Sequence, residues 1–395
     1  MDLAGTRVTV VGAGIGGMGA ALMFARGGAA VVLLERSAEI RAVGAGILLQ
    51  PNGLAVLDAL GLDGPLRASG HAVAGTSVRG PTGEPISTVP VPDFGTGLDR
   101  MLAVRRSRLH EVLLDAVADQ PAVDVRLGSE ATGASADGTV TLRSGETVAG
   151  DLVVGCDGAS SRIRGSGDFG ARVRDTVHVY LRGLVPRRGP GFEGEYWTPL
   201  GLFGGAPVDG ETQYFYASAT APSVRDAIAA RDRFALRRVW GAAVPAAAAV
   251  FDAIDDVDDL LVNAVVRVEC ATWQDGRTVL LGDAAHAMSP TAGQGANSAL
   301  VDAAVLVAEL LAADVQSEGL TRYSARRRPT VRRVQDQADR LALMAHLRSP
   351  LARWIRDGLL RTIGERKGVA ERLVRAAQQE DPATLRTLVR NLRPS

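Results

Sequence analysis

The chain has 395 residues, 46% of them hydrophobic and 22% charged, and its 44 basic and 44 acidic side chains cancel to a formal net charge of zero. That length holds two domains, or one large core with an inserted lobe. Balanced charge argues against a nucleic-acid partner, because phosphate binding draws on a basic surplus or stripe. The two cysteines, Cys156 and Cys270, sit in apolar runs and read as free buried thiols, with neither a disulfide nor a metal site expected. The N-terminus enters a strand directly, with no signal-peptide pattern. The one long apolar stretch, 296–313, carries Asp302 and Glu309, so no membrane span is predicted and the cytoplasm is the expected location.

In chain order, residues 7–12 read as a short buried strand, a glycine turn and helix follow, and 29–36 form a second strand. This is a βαβ unit with a parallel sheet. A Gly/Pro-rich stretch at 44–53 leads into a helix over 53–62. Residues 73–97 are turn-rich with short alternating runs, as in a small antiparallel excursion. The 104–118 segment is helical, with Leu109, Val112, Leu113 and Val117 on one face. From about 172 to 270 the character changes. Segments 176–183, 212–219 and 263–270 alternate at period two, as half-buried antiparallel strands do. His178, Tyr180 and Arg182 share one face of the first, and Tyr214, Tyr216 and Ser218 one face of the second. Residues 223–260 read as mostly helical. After 278 the strand-then-helix style returns, and from 321 onward the chain is helical and arginine-rich.

The predicted fold is therefore α/β with an inserted α+β lobe. A Rossmann-like, parallel-sheet nucleotide-binding domain is expected from residues 1–72, 98–171 and 271–330. An antiparallel-sheet substrate domain is expected from 73–97 and 172–270, and a helical C-terminal tail from 331–395.

Three motifs carry chemistry. In the first, Gly12-Ala13-Gly14-Ile15-Gly16-Gly17, the glycines permit a tight turn, let backbone amides approach a pyrophosphate, and allow the helix to pack on the strand. Glu35 ends the next strand, where a carboxylate accepts hydrogen bonds from ribose hydroxyls and repels a 2′-phosphate, which selects FAD or NAD. The competing reading is a structural turn with a surface glutamate. The second motif, Asp157 to Arg164, reads by itself equally well as a turn and helix cap. The third follows the apolar run Thr278–Leu281. Asp283 at its end suits a polyol, and the amides of Gly295, Ala296 and Asn297 open a helix that favours negative charge. That pairing suits a flavin's ribityl chain and the anionic edge of its reduced ring, although Asp283 also reads as a helix cap.

Together these segments resemble the FAD-dependent aromatic hydroxylases, the single-component flavoprotein monooxygenases of the p-hydroxybenzoate and salicylate hydroxylase type. VVGAGIGGMGAAL with Glu35-Arg36, DGASSRIR, and GDAAHAMSPTAGQGANSALVDA carry the resemblance, supported by 43–62, RSRLHEVLL and YSARRRP. It covers nearly the whole chain. It implies FAD contacts at Gly12, Gly14, Gly16, Gly17, Glu35 and Arg36, at Arg41, at Arg106, and at Asp157. It further implies that Asp283 holds the ribityl chain and that Gly293, Gly295, Ala296 and Asn297 cradle the isoalloxazine. The implied reaction has NADPH or NADH reduce FAD, then O₂ add to give a C4a-hydroperoxyflavin that passes one oxygen to an aromatic small molecule.

Leu202, Tyr214, Tyr216 and Pro290 are the expected substrate contacts, with Tyr214 and Pro290 also the catalytic candidates. Relatives acting on urate carry an arginine at the position of Leu202 and an aspartate at that of Thr291. These departures point to a more apolar aromatic, phenol or polycyclic substrate. His286 is expected to order the cofactor loop rather than to move a proton. The alternatives are an FAD-dependent reductase or desaturase of the geranylgeranyl reductase type, and a non-catalytic nucleotide-binding module.

Overall fold

A computed structural model describes residues 2–39, 45–95, 97–187 and 191–392, so Arg41 lies outside the described residues. The first strand, Arg7–Val11, lies at the centre of a six-stranded sheet in the order Gln274–Asp275, Thr278–Leu280, Leu152–Gly155, Arg7–Val11, Ala30–Leu34, Val123–Arg126. Its neighbours on both sides run parallel to it. These strands are continuous Val/Leu runs rather than alternating ones because both faces of the sheet are covered, as parallel sheets require. On one side lie the helices Ile15–Arg26 and Gly295–Ala312. They approach closely because Gly16 and Gly19 leave room: a Cβ at Gly16 would stand 2.9 Å from the Ala299 Cβ, and one at Gly19 2.8 Å from Leu300 Cδ2. Among the described residues Gly295–Ala312 is the one helix long and apolar enough to cross a membrane. Most of it is buried inside the protein, which makes it a core helix here.

A second sheet has seven strands in the order Leu261–Glu269, Arg172–Pro186, Thr212–Ser218, Gly201–Pro207, Gly194–Thr198, Gly75–Arg79, Pro85–Pro90. The 73–97 excursion thus supplies two strands to the same sheet as 172–270. Residues 196–205, apolar and glycine-rich, are part of a hairpin that turns at Pro199-Leu200. One face of this sheet packs Phe203 and Phe215 against Trp240 and Phe251 of the helical 222–252 segment. The opposite face carries Tyr180, Arg182, Tyr214 and Tyr216, in the alternation the sequence predicts.

The C-terminal helices fold back on the nucleotide-binding side. Helix Gln316–Ala345 runs unbroken through Pro329, so the 330/331 boundary expected from the sequence falls in mid-helix. Arg326 on it bridges Glu309 and Glu380. Further on, Arg386 and Arg390 reach Asp58. Both cysteines are free thiols.

Candidate active site

The Gly12–Gly17 turn is built by steric necessity. Gly12 has φ +101°, a conformation that favours glycine, and a Cβ there would lie 2.6 Å from the Cys156 carbonyl oxygen. A Cβ at Gly17 would lie 1.8 Å from the Gly12 carbonyl oxygen, so strand and helix meet only without it. Gly14, by contrast, borders open space at the start of helix Ile15–Arg26. Glu35 stitches the turn in place: Oε2 accepts from the Ala13 amide and Oε1 from the Ser37 amide, both at 2.9 Å. Arg36 beside it is exposed.

One cavity of about 1640 Å³ joins this turn to the face of the seven-stranded sheet. Gly14, Gly16, Arg106 and Asp283 line it, as do Pro290, Gly293, Gly295, Ala296 and Asn297. Leu202, Tyr214 and Tyr216 form part of the opposite wall. Gly12, Gly17, Glu35, Arg36 and Asp157 are not among its lining residues. The Asp157 carboxylate accepts from the Ser161 hydroxyl at 2.5 Å and from the amides of Arg162 and Ile163 at 2.7 and 3.1 Å. It caps the short helix Arg162–Ser166, while Gly158 and Ala159 of the same turn reach the cavity.

Two helix N-termini open on this space without caps. Neither Ile15–Arg26 nor Gly295–Ala312 has a side-chain cap or an acidic residue in its first turn. The Asn297 side chain is occupied, donating to the Leu48 and Gly293 carbonyls and accepting from the Gln50 amide, which leaves the first-turn amides to the cavity. Bare helix starts of this kind bind anions. The buried side chains of Gln294 and Gln378 both donate to the Oε1 of half-buried Gln50 and brace the loop there.

Asp283 is exposed to the cavity that it lines. Burial pushes its carboxyl up, and the charges of His286 and Arg106 pull it partly back. It begins the short helix Asp283–His286 without a capping hydrogen bond, and no described residue donates to it. A carboxylate left unpaired in an enclosed site is costly unless a ligand supplies the donors. Arg106, desolvated by burial and near the like charge of Arg182, faces the same space.

His286 points elsewhere. It is 2% exposed, and its Nε2 lies 2.5 Å from Asp302 Oδ2. Asp302 also accepts from the Gly282 amide at 3.0 Å and from Arg327 Nε at 2.8 Å, and Arg327 continues to Gln379 Oε1 at 2.6 Å. This cluster pins the Gly282 turn from which Asp283 projects. His286→Ala is expected to lower stability by about 1–3 kcal/mol, because the buried Asp302 carboxylate loses one of its three donors and keeps only the Gly282 amide on Oδ2. Turnover per bound flavin should stay within about threefold of the parent, the margin of roughly 0.7 kcal/mol at the barrier. A several-hundredfold loss in rapid-kinetic oxygen transfer by fully loaded variant would reassign His286 to chemistry.

On the opposite wall, the Tyr214 ring lies against Gly46, where a Cβ would stand 2.2 Å from Tyr214 Cγ. The rings of Tyr214 and Tyr216 are 5.5 Å apart, and burial pushes both phenols up. Arg182 donates to Asn263 Oδ1 at 2.7 Å. Glu195, which is not among the residues expected from the sequence, also lines the cavity. Its period-two spacing from Trp197 was the available signal. Leu202 is buried, and its amide donates to Ser218 Oγ. Thr291 is tied by its hydroxyl to the Ala338 carbonyl at 2.6 Å.

The glycine turn, the two bare helix starts and the unpaired Asp283 fit the pyrophosphate, ribityl and flavin parts of FAD. A model of the FAD binding domain family matches residues 5–338. The chain belongs to this family of FAD-dependent monooxygenases. The enzyme is 32% identical over 371 residues to an aurachin C monooxygenase/isomerase of Stigmatella aurantiaca, covering 90% of this chain and 94% of that protein. It is 33% identical to a 2-heptyl-3-hydroxy-4(1H)-quinolone synthase of Mycobacteroides abscessus, covering 87% and 92%. Among solved structures, HpxO of Klebsiella pneumoniae in complex with FAD and uric acid superposes with a TM-score of 0.81 at 26% identity, covering 94% of this chain and 98% of that one. The monooxygenase thus shares with these relatives an architecture that spans nearly its whole length.

Proposed function

We propose that the enzyme uses electrons from NADH or NADPH to place one oxygen atom of O₂ on a bicyclic nitrogen heteroaromatic of the 4(1H)-quinolone type that carries an apolar tail. The observation that carries this reading is the continuity of the cavity. At about 1640 Å³ it exceeds the roughly 300–1,000 Å³ of an ordinary small-molecule pocket, which leaves space for substrate beside cofactor. Val73, Val89, Met101, Leu341 and Leu360 are among its lining residues and give it apolar surface suited to an alkyl chain. Leu202 offers no cation to a polar purine. Relatives from Mycobacteroides abscessus and Pseudomonas aeruginosa are named 2-heptyl-3-hydroxy-4(1H)-quinolone synthases, which agrees with that chemistry.

Bound FAD supplies the two-electron redox chemistry and the activation of O₂. In this reading Asp283 accepts from ribityl hydroxyls, and the Gly295, Ala296 and Asn297 amides hold negative charge on the flavin edge. Gly12 and Gly14 to Gly17 admit the pyrophosphate, with Glu35, Arg36, Arg106 and the Asp157 turn ordering the surrounding loops. Tyr214 and Pro290 bound the reacting face, and the apolar wall keeps water from it. Residues 73–97 and 172–270 form the substrate domain, and the enzyme works in the cytoplasm.

Purified enzyme should oxidise NADH or NADPH faster when 2-heptyl-4(1H)-quinolone is added, with a product heavier by one oxygen. Peroxide release with no heavier product across quinolones, indoles and phenols would refute the substrate class. Product formation that continues without O₂ would mark a reductase instead.

A further inference from the structure

The register of the seven-stranded sheet sets a row of side chains across four strands. Glu195 pairs with Gly204, Gly204 with Tyr216, and Tyr216 with Arg182. Glu195, Tyr216 and Arg182 all line the cavity. Glu195 and Tyr216 are two strands apart, a backbone separation of about 9–10 Å. They nevertheless meet, with the Tyr216 hydroxyl donating to Glu195 Oε1 at 2.9 Å. The glycine between them makes this possible. A Cβ at Gly204 would lie 2.9 Å from Tyr216 Cζ and Oη, and 3.0 Å from Glu195 Cγ. Two residues along the strand, Trp197 Nε1 donates to Glu195 Oε2 at 2.8 Å.

Each carboxylate oxygen therefore has one protein donor and retains acceptor capacity. Among the described residues no cation is hydrogen-bonded or ion-paired to Glu195. The Tyr180 phenol is also near it, and burial pushes the carboxyl up. Two donors hold the acid in one orientation against an apolar-walled space. Such an arrangement lacks only a donor from the cavity side.

We propose that Glu195, held over Gly204 by Tyr216 and Trp197, accepts the ring N–H of the heteroaromatic substrate and so sets both its orientation and the preference for an N–H ring. This rests on the quinolone reading above and extends it to a specificity residue. In a 4(1H)-quinolone the N1 lone pair conjugates through C2=C3 to the carbonyl, which makes C3 the electron-rich carbon. As C3 forms its bond to the transferred oxygen, positive charge develops on N1. An acceptor at N1–H stabilises that charge. N1 keeps its proton, and the proton lost in restoring the ring is the one on C3.

The test compares 2-heptyl-4(1H)-quinolone with 2-heptylchromen-4-one, in which ring oxygen replaces N–H at nearly the same shape. Dissociation constants are read from the flavin absorbance of FAD-loaded enzyme. The parent should bind the chromenone about 10- to 100-fold more weakly, the range of a hydrogen bond to a charged group, because the ring oxygen then faces a carboxylate. In Glu195→Gln the ratio should fall to within about threefold, since an amide turns either its oxygen or its NH₂ to the ring. Tyr216→Phe, which keeps the aromatic ring but frees one carboxylate oxygen, should reduce the ratio severalfold. FAD content and melting temperature report on folding of both variants. Equal binding of the two ligands by the parent, or an undiminished ratio in Glu195→Gln, overturns the assignment of Glu195 and leaves the quinolone reading standing. Failure of the parent to bind either ligand overturns the quinolone reading, and this one with it.

Discussion

Asp302→Ala is expected to destabilise the protein by about 3–5 kcal/mol, the range for removing one partner of a buried ion pair. Asp302 and Arg327 are both 0% exposed, and their 2.8 Å contact has no solvent to replace it. Truncation leaves the Arg327 guanidinium buried with Gln379 as its one remaining hydrogen-bonded partner among the described residues, and it strips both His286 and the Gly282 amide of their acceptor. Because the Gly282 turn presents Asp283, FAD retention should fall as well. Urea unfolding of the apo and FAD-bound forms checks both effects. A loss below about 1 kcal/mol, the level of a surface pair, would mean the cluster contributes little.

The same group predicts a pH response. Burial pushes the Asp302 carboxyl up, but the charges of His286 and Arg327 outweigh it and hold it at about 2, against 3.8 for the free side chain. A folded-state value below the unfolded one contributes stability that is complete above 3.8. That contribution is lost as pH falls through about 2, and it amounts to about 2 kcal/mol at 1.36 kcal/mol per unit. Acid unfolding should therefore steepen for the parent in this window. An Asp302→Asn variant, already without the charge, should lack that component.

What the sequence made legible was local. The glycine turn after Arg7–Val11, Gly282-Asp283 at a strand end, and the Gly295 helix start each declare themselves within a few residues, because turn and helix-start chemistry is set by neighbours in the chain. Alternation likewise showed which face Tyr180, Arg182, Tyr214 and Tyr216 share. What stayed hidden depends on partners far apart in sequence. Asp302 reads as an interruption in an apolar helix until Arg327 and His286 are brought against it. Gly204 is one glycine of an apolar run until register sets it between Glu195 and Tyr216. The sequence already points His286 to loop ordering rather than proton transfer, and the partner through which it does so, Asp302 at 2.5 Å, lies 16 residues away. Asp157 leaves two readings open in the sequence, and its bonds to the Arg162 and Ile163 amides place it at the start of a helix.

Asp283→Ala is expected to weaken FAD binding by about 10- to 100-fold, as loss of a hydrogen bond to a charged acceptor does. The apo protein should melt at the same temperature or higher. These two outcomes belong together. A residue that contributes to the fold loses stability when truncated, and a helix-capping aspartate loses about 1 kcal/mol. Asp283 makes no capping bond, and no described residue donates to it, while burial raises its carboxyl. A raised folded-state value means that ionisation opposes folding once pH exceeds the unfolded value, so the variant gains at neutral pH. Below the ordinary carboxylate range, where both states are protonated, the gain disappears. Titration of apo protein with FAD, followed by flavin fluorescence, measures the first effect, and melting at neutral and acid pH measures the second. Unchanged FAD affinity together with a less stable apo protein would reassign Asp283 to the fold. The opposite pattern is the signature of a group held at a cost in stability for its ligand.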